Sequence, residues 1–232
     1  MSSFTLQTKV SDIVTAIPQA ADVFRALRID FCCGGKIPLE EAANKRKLDP
    51  ETVLESIREL ETKLAESRDS RPGELTEPEL IGYIQSKHHA FLREELPAMT
   101  PYVTKLARVH GDRHPELLRV QELFAELKEE LLSHTEDEDR NVFPLVLKFA
   151  EQPGPEVFEK LKPHVDELEQ EHEQAGSLLK ELREITGDFL PPADACGTYR
   201  LVYQRLAALE KATFEHIHLE NNVLFDRIRA AV

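Results

Sequence analysis

Four segments beyond residue 80 carry apolar residues at alternating spacings of three and four, and a histidine interrupts each stripe. The first runs His89, Leu92, Leu96, Met99, Val103, Leu106, His110. The second runs Val120, Leu123 or Phe124, Leu127, Leu131, His134, Glu138. The third is Phe158, Leu161, Val165, Leu168, His172, Ala175, Leu179, Leu182, and the fourth Val202, Leu206, Leu209, Thr213, His216, Glu220, Val223. This period belongs to helices with one buried face. The breakers "HGDRHP" (110–115), "EQPGPE" (151–156) and "FLPPADACG" (189–197) fall between them. The pattern predicts an up-down-up-down four-helix bundle with short connections.

The spacing of the histidines sharpens this. His89 stands about 22 residues before the first turn and His134 about 22 after it. At about 1.5 Å per residue, antiparallel helices return His134 to the height of His89. The same holds for His134 with His172 about Pro153, and for His172 with His216 about Asp194. All four histidines are therefore expected at one level of the bundle. His134 and His216 are each followed four residues later by Glu138 and Glu220, and an i, i+4 pair shares one helix face. The separations His89–His134 and His172–His216 are 45 and 44 residues, a weak internal repeat.

Any one of these histidines alone reads as a satisfied core residue or one on a wet face. Four at one level with two carboxylates, buried without a metal, would strand several polar groups at roughly 1–3 kcal/mol each. Six ligands exceed the needs of one tetrahedral zinc and suit two metals bridged by both carboxylates. Imidazole with carboxylate admits iron, manganese or zinc. Two bridging Glu offset only half the charge of a divalent pair, so the centre is expected to be electron-poor, with open positions for small ligands.

The remaining histidines divide. His110 continues the first stripe, but lies 21 residues from His89, roughly 31 Å along a straight helix. It reaches the same centre only if Pro97 and Pro101 fold the helix back. Ile81 and Ile84 point to His88 as the ligand, whereas Leu92 and Leu96 point to His89. His114, His164 and His218 read as solvated. Glu130 shares the face of His134 and Glu138, and reads as an acceptor behind the ligands, as the lining of an access path, or as a surface salt-bridge residue.

Ahead of the bundle, residues 9–66 read as several short helices, with Pro18, Pro38 and Pro50 at helix starts. The polar stretch "SRDSRPGELTEP" (67–78) marks a boundary, giving a helical domain over 1–70, a linker over 71–78 and the bundle over 79–232. Within the first domain, "DFCCGGK" (30–36) holds Cys32 and Cys33; the third cysteine is Cys196. Three cysteines, two adjacent, are not a disulfide framework. A bridge within the pair would distort the intervening peptide. The Gly pair is expected to take positive φ, end the preceding helix and admit another backbone closely. The two thiols are then presented outward or toward a partner, or else pack as small hydrophobes.

The net charge of −14, most of it beyond residue 70, repels phosphate backbones and excludes nucleic acid as the expected partner. No apolar run approaches the roughly 20 residues of a membrane span. The first residues carry no secretory pattern, so the expected location is the cytoplasm.

With these residues in hand, the chain resembles the di-iron RIC family (repair of iron centres, the YtfE/ScdA/DnrN type), which joins an ScdA-type N-terminal domain to a hemerythrin-like bundle. The likeness rests on "IDFCCGGK" (29–36), "HHAFLREELP" (88–97), "ELLSHTEDEDRNVFP" (130–144), "EHEQAG" (171–176) and "HIHLENNVLF" (216–225). It implies an all-α fold, ligands at His89, His134, Glu138, His172, His216 and Glu220, and His89 rather than His88. It implies two non-haem irons per chain, oxo-bridged when oxidised, and the restoration of iron–sulfur clusters damaged by nitric oxide or oxidants. "RVHGD" (108–112) also matches a family stretch, which keeps His110 open. "FDR" (225–227) departs from the Pro expected after Phe.

The resemblance makes nitric oxide or O2 the small ligand, damaged iron–sulfur proteins the clients, and a homodimer the expected assembly. Cys32 and Cys33 then serve electron, iron or nitrosyl transfer, or link a second subunit. The alternatives are a reversible O2- or NO-binding hemerythrin-like carrier and a redox sensor. Oxygen carriers of that type use five His, and four here favour reactivity over storage.

Overall fold

The computed structural model describes residues 4–65 and 72–231. Of the expected boundary stretch at 67–78, residues 67–71 lie outside the described residues. The architecture is all-α. Among the described residues there is no β-strand, only an isolated bridge between Lys9 and Pro38. In chain order the helices are α1 (Val10–Ala16), α2 (Ala20–Ala26), α3 (Leu39–Lys45), α4 (Pro50–Ala65), α5 (Glu77–Tyr83), α6 (Ala90–His110), α7 (Glu116–Asp137), α8 (Phe143–Glu151), α9 (Pro155–Ile185), α10 (Gly197–Leu219) and α11 (Phe225–Ala230). Three π-helical stretches, Ile84–His89, Glu138–Val142 and Glu220–Leu224, are inserted next to α6, α7 and α10. No helix among the described residues is long and apolar enough to cross a membrane.

The chain divides into two compact units. One comprises Ile84–Val146 and Glu159–Thr213, and holds α6, α7 and most of α9 and α10. The stripes read from the sequence form its interior. Leu92, Leu96 and Met99 of α6, Leu123, Leu127 and Leu131 of α7, Leu161, Leu168 and Leu179 of α9, and Val202, Leu206 and Leu209 of α10 are each at most 2% exposed. Each such side chain contributes about 1.5–3 kcal/mol on burial.

Polar contacts tie each helix of this unit to the next. Lys128 Nζ donates to Thr100 Oγ1 (3.3 Å), Arg119 Nε to Glu181 Oε1 (2.8 Å), Arg183 Nε to Glu210 Oε1 (2.6 Å) and Arg205 Nε to Glu95 Oε1 (2.6 Å). The order α6–α7–α9–α10–α6 closes a four-helix ring with up-down-up-down connectivity. The exposed Arg119 pair adds little. Glu210 is fully buried, so removing Arg183 alone would leave a charge in the core. α6 passes through Pro97 and Pro101 as one helix, so it does not fold back on itself.

The other unit comprises Met1–Tyr83, Leu147–Phe158 and Phe214–Val232. Its core includes Ile13, Phe24, Phe31, Leu39, Leu54, Ile57, Ile217 and Phe225. The N-terminal helices lie against the chain's final segment. Lys36 Nζ donates to Asp226 Oδ1 (2.7 Å), and Arg227 donates to the carbonyls of Leu75 and Gly73, both at 2.6 Å. Thr76 starts α5 with a capping box, its N–H donating to Glu79 Oε2 at 2.9 Å.

Candidate metal centre

Three of the six candidate ligands stand where the helices change pitch. His89 ends the first π-helical stretch, and Glu138 and Glu220 begin the second and third. A π-turn carries an extra residue, which widens the helix and re-aims its side chains, and such turns collect at functional sites. The period of the stripes could not disclose them.

Within the bundle unit, four side chains converge. Glu138 Oε2 lies 3.3 Å from His89 Nε2 and 3.2 Å from His134 Nε2, and His134 Nε2 lies 3.0 Å from His172 Nε2. His89 and Glu138 are fully buried, and His172 is 1% exposed. In the other unit, His216 Nε2 lies 2.8 Å from Glu220 Oε1, both fully buried, at the i, i+4 spacing the sequence predicts. Both sets, His89, His134, Glu138 and His172 in one unit and His216 and Glu220 in the other, are buried side chains of the kind that hold a metal ion.

Carboxylates behind the rings decide which nitrogen faces inward with its lone pair. His89 Nδ1 is 2.9 Å from Asp139 Oδ1, and His134 Nδ1 is 2.6 Å from Glu171 Oε2. A carboxylate only accepts, so each Nδ1 carries the proton and each Nε2 offers a lone pair to the centre. There the lone pairs meet a carboxylate oxygen. Acceptors converging in a dry interior call for a cation, and imidazole nitrogen with carboxylate oxygen is a donor set that iron accepts. The residues present therefore fit the metal.

Asp139 is itself anchored. It takes a hydrogen bond from Gln85 Nε2 (2.9 Å) and pairs with Arg93, which also donates to the Thr135 carbonyl (3.0 Å). Burial works to raise its carboxyl, but hydrogen bonds from Arg93 and Gln85 and the His89 ring outweigh it and hold it below the ordinary carboxylate value. Phe143 stacks on the His89 ring at 5.5 Å, with planes 9° apart. Asp139, Glu171, Arg93 and Gln85 went unnoticed in the sequence because they lie off the apolar stripes. The one available signal was that Asp139 and Glu171 each adjoin a candidate ligand.

A cavity of about 410 Å³ opens beside this cluster, with His134 and His172 in its wall and Glu126, Glu129, Glu130 and Glu171 around it. Glu130 pairs with Gln174, and burial together with Glu126, Glu171 and Glu129 raises its carboxyl above the ordinary value. Of its sequence readings, the lining of an access path is the one this position supports.

Other sequence expectations are corrected. His110 is not at the cluster: its Nε2 is 3.4 Å from Cys196 Sγ and its ring meets Tyr199 edge-on. Straight passage through both prolines keeps it there. His88 is buried but belongs to neither ligand group. His114 is held between Glu116 (3.1 Å) and Asp194 (3.4 Å), which raises its pKa above the ordinary 6.5. His218 is 3% exposed, because Thr15 Oγ1 and the Phe31 carbonyl, both 3.3 Å from its ring, cover the face taken as solvated.

The cysteine loop also departs from expectation. The Gly pair does not adopt positive φ; Arg28, at φ 56°, takes the left-handed turn after α2. Gly35 serves close approach instead, since a Cβ there would stand 2.4 Å from the Phe31 carbonyl oxygen. Cys32 is 2% exposed rather than presented outward, and Cys33 is half-buried.

Residues 6–61 match the ScdA_N model, described as a domain of unknown function (DUF542), and residues 80–228 match the hemerythrin HHE cation binding domain. The iron-sulfur cluster repair protein ScdA of Staphylococcus haemolyticus is 43% identical over 223 residues, covering 96% of this chain and 98% of the relative. ScdA of Staphylococcus epidermidis is 40% identical over 225 residues, covering 97% and 99%. The iron-sulfur cluster repair protein YtfE of Musicola paradisiaca is 34% identical over 223 residues, covering 95% and 96%. Identity at this level over nearly the whole length, with both domain models matched in order, shows that the chain belongs to the ScdA/YtfE family of iron-sulfur cluster repair proteins.

Proposed function

We propose that this protein repairs iron–sulfur clusters damaged by nitric oxide or oxidative stress, using two non-haem irons held by His89, His134, Glu138, His172, His216 and Glu220. The names of its relatives support the repair role. The observation that carries the metal reading is Glu138 Oε2 set between His89 Nε2 and His134 Nε2, at 3.3 and 3.2 Å, a buried carboxylate beside two imidazoles that would hold a cation. Such a pair of irons, when bound, supplies a reducible centre that takes a small ligand such as nitric oxide or O2, and a stock of iron for a damaged cluster.

The protein's own residues do the rest. Asp139 and Glu171 hold the outer protons of His89 and His134 and so keep both inner nitrogens available. Phe143 and the surrounding leucines keep the centre dry, which strengthens every charge interaction within it. The four glutamates of the cavity favour cations over anions on the way to His134 and His172. The vicinal thiols of Cys32 and Cys33 are accessory, serving electron or nitrosyl transfer. The ScdA-type domain over 1–70 thus carries the thiols and the bundle over 79–232 the iron, in a cytoplasmic setting.

The test is reactivation of a nitric-oxide-damaged [4Fe–4S] enzyme by iron-loaded, iron-free and Glu138→Ala protein. Recovery with the iron-loaded form alone is expected. Equal recovery with iron-free protein overturns the reading.

A further inference from the structure

Cys32 and Cys33 are consecutive, yet their sulfurs lie only 3.8 Å apart. In extended backbone, neighbouring side chains point to opposite faces, so the loop must create this proximity. Asp30 does so. Its Oδ1 accepts the backbone N–H groups of Cys32 (3.2 Å), Cys33 (3.1 Å) and Gly34 (3.0 Å), winding the chain around one oxygen and turning both thiols to one side.

The loop is fixed on its other sides as well. Asn222 Nδ2 donates to the Cys32 carbonyl at 2.7 Å, and the Ser11 N–H donates to the Gly35 carbonyl at 2.9 Å. Gly35 leaves the Phe31 carbonyl the space a side chain would take. Core packing accounts for a buried Cys32 but not for a half-buried Cys33 held beside it. A backbone turn fixed this firmly by surrounding hydrogen bonds, with both thiols brought to one side, is the mark of a preorganised site.

We propose that Cys32 and Cys33 form a two-thiolate chelating site for a thiophilic divalent cation of the zinc and cadmium class. A tetrahedral zinc ion binds each thiolate at about 2.3 Å, which sets two such sulfurs about 3.8 Å apart. The loop already has that bite. On binding, each thiol yields its proton to solvent and both sulfurs bond the ion, with no change of oxidation state. Asp30 Oδ1, 3.5 Å from Cys32 Sγ, adds a negative charge that favours a cation. The ion enters from the side of Cys33, the more exposed of the pair. Two thiolates fill half of a tetrahedral shell and leave the rest to water or to groups on a partner, which suits transfer rather than structural storage. This site stands independently of the iron reading and of the repair activity.

The test is a titration of the full-length, iron-loaded protein with Cd²⁺, reading the ultraviolet thiolate-to-cadmium charge-transfer band. Imidazole and carboxylate ligands do not give that band, so the bundle centre is silent in it. We expect saturation at one equivalent per chain, loss of the band in Cys32→Ser and in Cys33→Ser, and retention in Cys196→Ser. A wild-type protein without the band, or a band that persists in the Cys32→Ser, Cys33→Ser double variant, overturns the proposal. A second measurement needs no variant: Zn²⁺ should slow alkylation of Cys32 and Cys33 together, resolved by mass spectrometry. Unchanged alkylation of the pair overturns it equally.

Discussion

His89 is held from behind by Asp139, with Nδ1 and Oδ1 2.9 Å apart, and Asp139 is in turn held by Arg93 and Gln85. This chain of contacts presents the inner nitrogen of His89 to Glu138. Partners of this kind set the tautomer and basicity of a metal-binding imidazole. Asp139→Ala should therefore lower iron affinity about 10- to 100-fold while leaving the helical content intact. Competition with a calibrated chelator measures the first, and circular dichroism checks the second.

Metal that binds only the folded state adds to stability by mass action, about 2.7 kcal/mol when free metal is a hundredfold above its dissociation constant. A chelator should thus lower the Tm of the iron-loaded wild type. Glu138→Ala should start at the lower Tm and not respond to the chelator. Calorimetric scans of both proteins with and without chelator decide this.

Asn222 anchors the cysteine loop through the Cys32 carbonyl. Asn222→Ala should cost about 1–3 kcal/mol, because that carbonyl loses its donor. It should also speed alkylation of Cys32, which is 2% exposed in the intact loop. Denaturant melts and timed iodoacetamide labelling give the two readings.

His114 titrates above its ordinary 6.5 because Asp194 and Glu116 favour its charged form. The pair's contribution to stability is then fully present below pH 6.5 and is lost as pH rises through the raised value. Asp194→Asn should move the His114 titration down toward 6.5 and remove most of that pH dependence. A proton NMR titration of the His114 ring reports it directly.

Much of the bundle could be read from spacing. A three-and-four period can only be satisfied by a helix with one apolar face, so His134 with Glu138 and His216 with Glu220 had to share their faces. Equal distances from the turns then placed His89, His134 and His172 at one level, and the contacts among their rings and Glu138 agree. His218 was misjudged, since solvation depends on what covers a helix face. The cover comes from residues distant in the chain, Thr15 and Phe31.

Periodicity therefore specified the helices and the His and Glu side chains on their inward faces, because these follow from local geometry. Only the folded chain decided which carboxylates stand behind the rings, since the π-turns at His89, Glu138 and Glu220 re-aim side chains away from the 3.6-residue count. The same is true of the two sulfurs of "CC". Their 3.8 Å approach depends on one Asp30 oxygen gathering three successive N–H groups, with Asn222 gripping the loop from 190 residues away. Neither adjacency in sequence nor residue type determines it.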